Sequence, residues 1–125
     1  MKYLILALLI YTSTPSIVGV ASYYNSTWNG YYTENGEQFW ADSLTCASNT
    51  LPFNTMIEVT NLKNGKKVIC RVNDRGPYEH YKGEYDENVD RIPHKKRILD
   101  LSEASFKAIS PLRVGLIKVK YKIIK

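Results

Sequence analysis

The chain has 125 residues, with 17 lysines and arginines against 12 aspartates and glutamates, so its formal net charge is +5. This length supports one domain and leaves no room for a second core. Two cysteines (Cys46, Cys70) and two histidines (His80, His94) are too few and too scattered for zinc-ligand spacing, so we predict no metal and no cofactor.

The modest excess of positive charge suits an acidic polymer or surface as a partner. The lysines are spread along predicted strands and are not interleaved with aromatic residues in one patch. This distribution argues against nucleic acid as the partner.

Residues 1–16 have the pattern of an export signal. Lys2 gives a positive start, Leu4 to Tyr11 is apolar, and the last five residues are small or helix-breaking. The alternative is an uncleaved membrane anchor, but the apolar run is shorter than the roughly 20 residues that span a bilayer. No cysteine follows that would accept a lipid anchor. We expect cleavage near Ser16 and a soluble, monomeric mature protein, residues 17–125, that is secreted or periplasmic.

The first part of the mature chain contains one predicted strand and a long loop. Val18 to Tyr24 is the strand, built from small and aromatic residues. Asn25 to Gly36 is rich in Asn, Gly, Ser and Thr and is typical of a loop, which presents Glu37 at its exit. Phe39 to Leu44 is either a short helix or an irregular packing segment.

Tyrosine is abundant in this region, with ten in the whole chain. The pairs Tyr23-Tyr24 and Tyr31-Tyr32 carry flat rings with polar tips, which suit the lining of a sugar-binding groove. Tyrosine is at least as often half-buried sheet surface, so both interpretations stay open.

Two alternating runs, Thr55 to Leu62 and Val68 to Asn73, are joined around Asn64-Gly65 and predict a β-hairpin. Both residues of an Asn-Gly pair tolerate the positive φ angles of a type I′ turn. Pairing outward from such a turn gives three predicted cross-strand pairs: Val59 with Cys70, Ile57 with Val72, and, on the solvent side, Glu58 with Arg71.

The second strand of this hairpin runs into Asp74-Arg75-Gly76-Pro77, a carboxylate followed by a turn. Side chains alternate along a strand, so Asp74 points to the same side as Val72 if the alternation continues. A purely structural role for Asp74 is an Asx-turn.

Beyond this turn, Tyr78 to Arg97 is polar without a hydrophobic period and is predicted to be a long exposed loop. Ile98 to Leu101 is a short strand, and Asp100 or Ser102 caps a helix over Glu103 to Ile109.

The last segment, Gly115 to Lys125, alternates between an apolar and a cationic face. The apolar face holds Ile117, Val119, Tyr121 and Ile123, and the cationic face holds Lys118, Lys120 and Lys122. The lysines also protect the strand from edge-to-edge pairing. Together the elements predict a small, mainly β domain of about six short strands with one or two short helices, closed or nearly closed.

Cys46 and Cys70 predict a disulfide, because exported proteins usually oxidise their cysteines. Such a bridge would add on the order of 3 kcal/mol to the free energy of unfolding. The alternative is two buried free thiols in a reducing compartment.

Three acidic residues, Glu37, Asp74 and Asp100, lie where predicted strands or turns end. Glycan cleavage needs a carboxylic acid that protonates the glycosidic oxygen and usually a second carboxylate that stabilises positive charge. A solvated turn residue and a helix cap are the structural alternatives for Glu37 and Asp100.

Seven blocks in this order resemble the rare lipoprotein A family of lytic transglycosylases, over nearly the whole mature chain. The blocks are Gly19-Val20-Ala21-Ser22-Tyr23-Tyr24, Thr33-x-Asn35-Gly36-Glu37, Leu44-Thr45-Cys46-Ala47, Thr50-Leu51-Pro52-Phe53-Asn54-Thr55, Val59-Thr60-Asn61-Leu62-x-Asn64-Gly65, Val72-Asn73-Asp74-Arg75-Gly76-Pro77 and Ile98-x-Asp100-Leu101-Ser102. The resemblance implies a six-stranded double-psi β-barrel, related to the expansin and barwin barrels, and cleavage of peptidoglycan glycan strands.

The resemblance also implies roles for individual residues. Glu37 and Asp74 fall on the family's catalytic positions, and Asp100 on a further acidic position in the same groove. In this chemistry the 6-hydroxyl of N-acetylmuramic acid attacks its own anomeric carbon, which gives a 1,6-anhydro product. Asp74 is assigned as acid and then base, and Glu37 as the anion that stabilises the oxocarbenium-like charge or orients the sugar, with the two roles exchangeable. Substrate binding is assigned to four residues: Asp100, Arg75, Asn73 and Thr33.

The sequence departs from the family pattern in three ways. Ser48 stands where the family commonly has a histidine, the passage at about 78–97 is longer than the family's connection, and the lipid-bearing cysteine and C-terminal glycan-binding module are not found. These departures keep a second hypothesis open, a non-catalytic expansin-like protein that binds or loosens wall polysaccharide. A third hypothesis is a secreted inhibitor or effector on the same scaffold.

Overall fold

Six strands form a closed barrel in the computed structural model, which describes residues 15–78 and 97–125. The strands are β1 (Ile17–Tyr24), β2 (Thr45–Ala47), β3 (Met56–Asn61), β4 (Lys67–Asp74), β5 (Arg97–Ser102) and β6 (Ile117–Ile123). Their order around the barrel is β1-β5-β2-β4-β3-β6, and β6 closes on β1. The β1/β5 and β2/β4 pairs are parallel and the other pairs are antiparallel. The predicted mainly β class with six strands is confirmed.

Two predictions concern segments that the structure does not describe. The export signal over residues 1–16 lies outside the described residues except for its last two, and the predicted loop between Tyr78 and Arg97 lies outside them except for its two ends. Both remain predictions. The strand after that loop begins at Arg97, one residue earlier than expected.

The alternating apolar residues of the strands meet in one core inside the barrel. Its fully buried members include Ile57, Val72, Leu99, Leu101 and Phe106. Burying a side chain of this size contributes about 1.5–3 kcal/mol. The alternation predicts Ile123 on the inner face, but this residue is 44% exposed at the end of β6, so the core ends at Tyr121.

The small residues at the start of β1 allow this strand to lie close to β5. A Cβ atom on Gly19 would lie 2.8 Å from side-chain atoms of Ile98. Glycine at this position therefore lets β1 pack against β5.

The predicted hairpin forms between β3 and β4, but its predicted register is wrong by two residues. Ile57 lies opposite Cys70, Val59 opposite Val68, and Glu58 opposite Ile69. The loop has four residues, 62–65, because Asn61 and Lys66 still pair through the Asn61 N–H and the Lys66 carbonyl. Gly65 has positive φ and Asn64 does not, so the type I′ turn is not formed. A shift of two residues preserves the faces, and for this reason the predicted inner residues are still correct.

The predicted alternation at the end of β4 is also wrong. Cys46 of β2 pairs with Val72, but the next residue, Ala47, pairs with Asp74, so Asn73 is an extra residue in the ladder. Such a bulge changes the side to which the following side chain points. Asp74 therefore lies on the side of Ala47 and not on the side of Val72.

One short helix, α1 (Glu103–Lys107), follows β5. Its cap is Ser102, whose Oγ accepts a hydrogen bond from the Ser105 N–H at 3.2 Å. Of the two proposed caps, Asp100 is thus excluded and lies within β5. The segment Phe39 to Leu44 is irregular, one of the two predicted alternatives. No helix in the described ranges is both long and apolar enough to cross a membrane.

The predicted disulfide is not formed: Cys46 and Cys70 are buried free thiols. The register places Cys46 opposite Val72, so Cys70 is its diagonal neighbour. Diagonal neighbours lie roughly 7–8 Å apart, beyond the usual Cα separation of about 4.4–6.8 Å in a disulfide. A hydrogen bond with the Cys70 thiol and burial both raise the pKa of the Cys46 thiol.

Asn61 links the hairpin loop to the chain after α1. Its Nδ2 donates to the Ile109 carbonyl at 2.8 Å and its Oδ1 accepts from the Lys63 N–H at 2.9 Å, and the residue is only 4% exposed. We predict that Asn61→Ala lowers the free energy of unfolding by about 1–3 kcal/mol, because the buried Asn61 side chain makes two hydrogen bonds that alanine cannot make. Urea unfolding measures the change. Lys63→Ala, an exposed substitution in the same loop, should change it by less than about 0.5 kcal/mol; equal effects of the two substitutions would contradict the assignment.

Candidate active site

Two carboxylates lie on either side of Ala47 in one row across the barrel. Ala47 of β2 pairs with Asp74 of β4 on one side and with Asp100 of β5 on the other. Asp100 in turn pairs with Ser22 of β1. Paired residues on neighbouring strands point to the same side of a sheet, so Ser22, Asp100 and Asp74 share one side.

Asp100 is held by a short chain of hydrogen bonds. The Ser22 hydroxyl donates to its Oδ1 at 2.7 Å, and Arg97 Nη1 donates to Ser22 Oγ at 3.3 Å. Burial raises the pKa of Asp100, and the charge of Asp74 raises it further, while Ser22 and Arg97 act in the opposite direction. Asp100 is therefore the carboxyl group of this site that burial drives toward its protonated form.

Asp74 is oriented by the backbone around it. Its Oδ1 accepts hydrogen bonds from the Glu34 N–H at 3.0 Å and the Arg75 N–H at 2.8 Å. Among the described residues, no donor is bonded to its Oδ2. Asp74 is half-buried at the end of β4, so one of its carboxyl oxygens is fixed by two N–H groups and the other has no described donor.

Glu37 forms a bidentate ion pair with Arg71. The two Arg71–Glu37 distances are 2.7 Å (Nη1 to Oε1) and 2.8 Å (Nη2 to Oε2), and Asn73 Nδ2 donates to Oε2 at 3.3 Å. The hydrogen bonds from Arg71 lower the pKa of Glu37 from 4.5 to about 2. Glu37 is thus an anion at any pH at which the protein is expected to work. The predicted pairing of Arg71 with Glu58 is wrong, because Glu58 contacts Lys67 and Lys122.

The loop 33–37 brings Glu37 to the same end of β4 as Asp74. Thr33 Oγ1 donates to Asn35 Oδ1, and Asn35 Oδ1 also accepts the Glu37 N–H. The Asn35 N–H donates to the Asn73 carbonyl at 3.4 Å. The predicted turn at Gly36 is present, with φ of 87°. The loop therefore fixes Glu37 on Arg71 while the Glu34 N–H holds Asp74.

Three residues predicted to bind substrate make their contacts within the protein itself. Arg75 donates to the carbonyl groups of Ser48 and Leu51 and lies 3.9 Å above the Phe53 ring. Asn73 is 2% exposed, and the Thr33 hydroxyl is used inside its own loop. These three side chains therefore make contacts within the protein, and their assignment to substrate binding, like that of Asp100, stays a prediction.

Ser48, which stands at the family's histidine position, is 1% exposed. Its Oγ accepts from the Thr50 and Leu51 N–H groups, both at 3.2 Å. The Ser48 N–H donates to the Asp74 carbonyl at 3.1 Å. Ser48 therefore shapes the backbone beside Asp74 and offers no free polar group to a ligand.

Of the paired tyrosines, Tyr24 is the one close enough to Asp74 and Asp100 for their charges to act on it. Its ring packs against Phe39 with centroids 4.4 Å apart, and its hydroxyl is buried without a hydrogen-bond partner among the described residues. Burial, together with the charges of Asp74 and Asp100, raises the pKa of Tyr24. The Tyr24 O–H thus stays protonated and is a donor without a partner. Exposed aromatic residues on the loop before β2 are Trp28, Tyr31, Tyr32 and Trp40.

Four site residues were not identified from the sequence as site members: Ser22, Arg71, Ala47 and Arg97. Each has a partner from a distant part of the chain. Arg71, for example, lies 34 positions after its partner Glu37. The alternation along the strand predicts that Arg71 points outward, but it does not predict that Glu37 is its partner. Within residues 15–78 and 97–125, no group of three or more His, Cys, Asp or Glu side chains is arranged to hold a metal ion.

Known proteins are similar to this chain over most of its length. A family model described as lytic transglycolase matches residues 16–121. A probable endolytic peptidoglycan transglycosylase RlpA of Treponema pallidum is 43% identical over 101 residues, which cover 81% of this chain and 27% of that protein. A protein of Synechocystis with the same name is 37% identical over 107 residues, 86% of this chain and 29% of that protein. The chain thus spans less than a third of the length of these two relatives.

Solved structures with this fold are more distant in sequence. A mutant of the Clavibacter michiganensis expansin, in complex with cellohexaose, has a TM-score of 0.60 at 21% identity and covers 89% of this chain and 51% of that one. The Streptomyces papain inhibitor has a TM-score of 0.62 at 22% identity, covering 89% of this chain and 96% of that one. These likenesses show the double-psi β-barrel fold alone.

The ion pair of Glu37 gives a prediction for stability against pH. In the folded protein the pKa of Glu37 lies below its ordinary value of 4.5. The pair therefore stabilises the fold above about pH 4.5, and this contribution is lost as the pH falls toward 2. We expect Glu37→Gln to lower the melting temperature at pH 6, and the difference from the wild type to shrink steadily between pH 4.5 and 2. Glu34→Gln, an exposed neighbour whose side chain makes no ion pair with a described residue, is the matched control. A Glu37→Gln difference that stays constant down to pH 2 would contradict the role of the pair.

Proposed function

Because the chain belongs to the lytic transglycolase family, we propose that it cleaves peptidoglycan glycan strands between N-acetylmuramic acid and N-acetylglucosamine and leaves 1,6-anhydro ends. The observation that carries the proposal is the row in which Asp74 and Asp100 flank Ala47. Peptidoglycan lies outside the cytoplasm, so the proposal includes export, in line with the predicted signal at residues 1–16.

Asp74 is the proposed acid and base. It first protonates the glycosidic oxygen, and the leaving sugar departs. It then accepts the proton of the muramic 6-hydroxyl as that oxygen bonds to the anomeric carbon, so no water enters the product. Two backbone N–H groups fix Oδ1 of Asp74, which leaves Oδ2 for the substrate. Positioned acid–base catalysis of this kind typically contributes a factor of about 10²–10⁴.

Asp100 is the proposed positioning carboxyl that keeps a proton next to Asp74. Two negative charges on either side of one alanine repel each other, so one of the two carboxyl groups favours its protonated form. Burial favours protonation of Asp100. The pair holds one proton, which rests on Asp100 before the substrate is bound and passes to Asp74 when Asp74 acts as the acid, while Ser22 fixes the orientation of Asp100.

Glu37 is the proposed anion of the site. With a pKa of about 2 it cannot act as the acid, so the exchanged assignment, with Glu37 as acid, is not supported. Its ion pair with Arg71 holds the loop 33–37 against β4. Negative charge at this position favours the oxocarbenium-like transition state.

A non-catalytic wall-binding protein is the second candidate. Ser48 in place of the family's histidine favours it, because no imidazole lies beside Asp74 in residues 15–78 and 97–125. The exposed aromatic residues before β2 are compatible with either candidate.

Product analysis separates the two candidates. We predict that residues 17–125, incubated with purified glycan strands, yield anhydro-ended fragments detectable by mass spectrometry. Asp74→Asn should lower the rate at least 100-fold while binding is retained, and Glu34→Gln should leave it within about twofold. Binding without new ends would support the second candidate and reject the first, and reducing ends would indicate a hydrolase.

The role of Asp100 is tested by the pH dependence of kcat/KM. Because the protonated form of Asp100 is required, kcat/KM should fall as the pH rises through the raised pKa of this residue. Ser22→Ala removes a hydrogen bond that lowers this pKa, so the fall should move to higher pH. Asp100→Asn should abolish the fall at that pH and lower kcat. If Ser22→Ala lowers activity equally at every pH, Asp100 has only a structural role.

A further inference from the structure

Four lysines lie on the outer surface of the barrel around β3. Three of them are exposed residues of β6: Lys118, Lys120 and Lys122. The fourth, Lys67, is at the start of β4. Thr60 of β3 pairs with Lys120 on one side and with Lys67 on the other. We call this surface the lysine face: Lys67, Lys118, Lys120 and Lys122.

Protection of a sheet edge does not explain these lysines. β6 is paired with β1 on one side and with β3 on the other, so it is not an edge strand. A closed barrel has no strand edge to protect. The sequence-based explanation for the three β6 lysines is therefore wrong, and another reason for the charge is needed.

The positive charge of the lysine face is poorly compensated. Glu58 is its one acidic neighbour among the described residues and is shared by Lys67 at 3.7 Å and Lys122 at 3.8 Å. No described carboxylate lies within ion-pair distance of Lys118 or Lys120. Like charges on one sheet face repel each other, so a bound anion would stabilise the face.

Part of the lysine face is concave. Lys67, Lys120 and Lys122 line a depression of about 90 Å³, together with Glu58, Thr60, Tyr121 and Ser16. The hydroxyl of Thr60 adds a neutral donor to the three ammonium groups. This set of donors suits an acidic group with several acceptor oxygens.

The lysine face is on the opposite side of the barrel from the carboxylate row. Around the closed barrel, β3 and β6 lie opposite β2 and β5, the strands of Ala47 and Asp100. An anionic chain held at the lysine face would therefore leave the carboxylate row open. Asp74 is on β4, as is Lys67, but the two residues are at opposite ends of that strand.

We propose that the lysine face binds an acidic wall polymer, a linear chain that carries a phosphodiester or carboxylate group in each repeat. Alternate residues of a strand lie about 7 Å apart, so the β6 lysines offer three regularly spaced positive charges to an extended polyanion. The binding holds the protein on the wall while the opposite side faces glycan. The proposal does not depend on the cleavage activity.

The test uses linear polyphosphate as the soluble probe and wall fragments, with and without their acidic polymers, as the solid probe. We expect the triple variant Lys118→Gln, Lys120→Gln, Lys122→Gln to bind polyphosphate at least tenfold more weakly at about 50 mM salt. The slope of log K against log salt should fall by about 2–3, since each lost contact removes about 0.7–0.9. Co-sedimentation with wall fragments should drop by a similar factor, and only for fragments that keep their acidic polymers.

The matched control is Lys63→Gln, Lys107→Gln, Arg113→Gln, which removes the same charge from exposed positions outside the lysine face. It should change binding by less than about twofold. Equal losses in the two triple variants would show an effect of net charge alone and overturn the proposal. Equally tight binding to duplex DNA or to anionic lipid vesicles would also overturn it, because the site would then not select wall polymers. Both triple variants should melt within a few degrees of the wild type, so a loss of binding is not a loss of fold.

Discussion

The insertion of β2 between β4 and β5 is the constraint on which the site depends. This strand has only three residues, all buried. It pairs with β4 on one side and with β5 on the other. Its last residue, Ala47, has Asp74 as one neighbour and Asp100 as the other. The bulge at Asn73 then decides which side Asp74 faces. Without that extra residue, Asp74 would point toward the core and away from Asp100.

Electrostatics divide the three carboxylates into different roles. Arg71 keeps Glu37 ionised, and burial favours the protonated form of Asp100. Neighbouring carboxyl groups with different environments are a common arrangement for acid–base work. The buried hydroxyl of Tyr24 is close enough to both aspartates for their charges to raise its pKa, and it is a donor without a partner among the described residues.

Much of the fold is predictable because the apolar residues alternate with a clear period. This period alone places the inner residues of β3 and β4, such as Ile57 and Val72, and the lysines of β6 correctly. The predicted register is wrong because Asn64-Gly65 is equally compatible with a loop of two or four residues. The predicted direction of Asp74 is wrong because a bulge depends on the partner strand β2 and has no local signal. The pairing of Arg71 with Glu37 is missed for the same reason, since it joins residues that only the closed barrel brings together. Glu37, Asp74 and Asp100 are identified in the sequence because glycan cleavage needs carboxylic acids and because the family resemblance assigns these three positions to one groove.

The central claim is that Asp74 and Asp100 act as one coupled pair across Ala47. It is tested most directly by carbon NMR titration of the side-chain carboxyl group of Asp100 in the wild type and in Asp74→Asn. If the charge of Asp74 contributes to the raised pKa of Asp100, that pKa should fall in the variant, because a negative neighbour has been removed. An unchanged titration of Asp100 would show that the two carboxyl groups do not interact and would contradict the account.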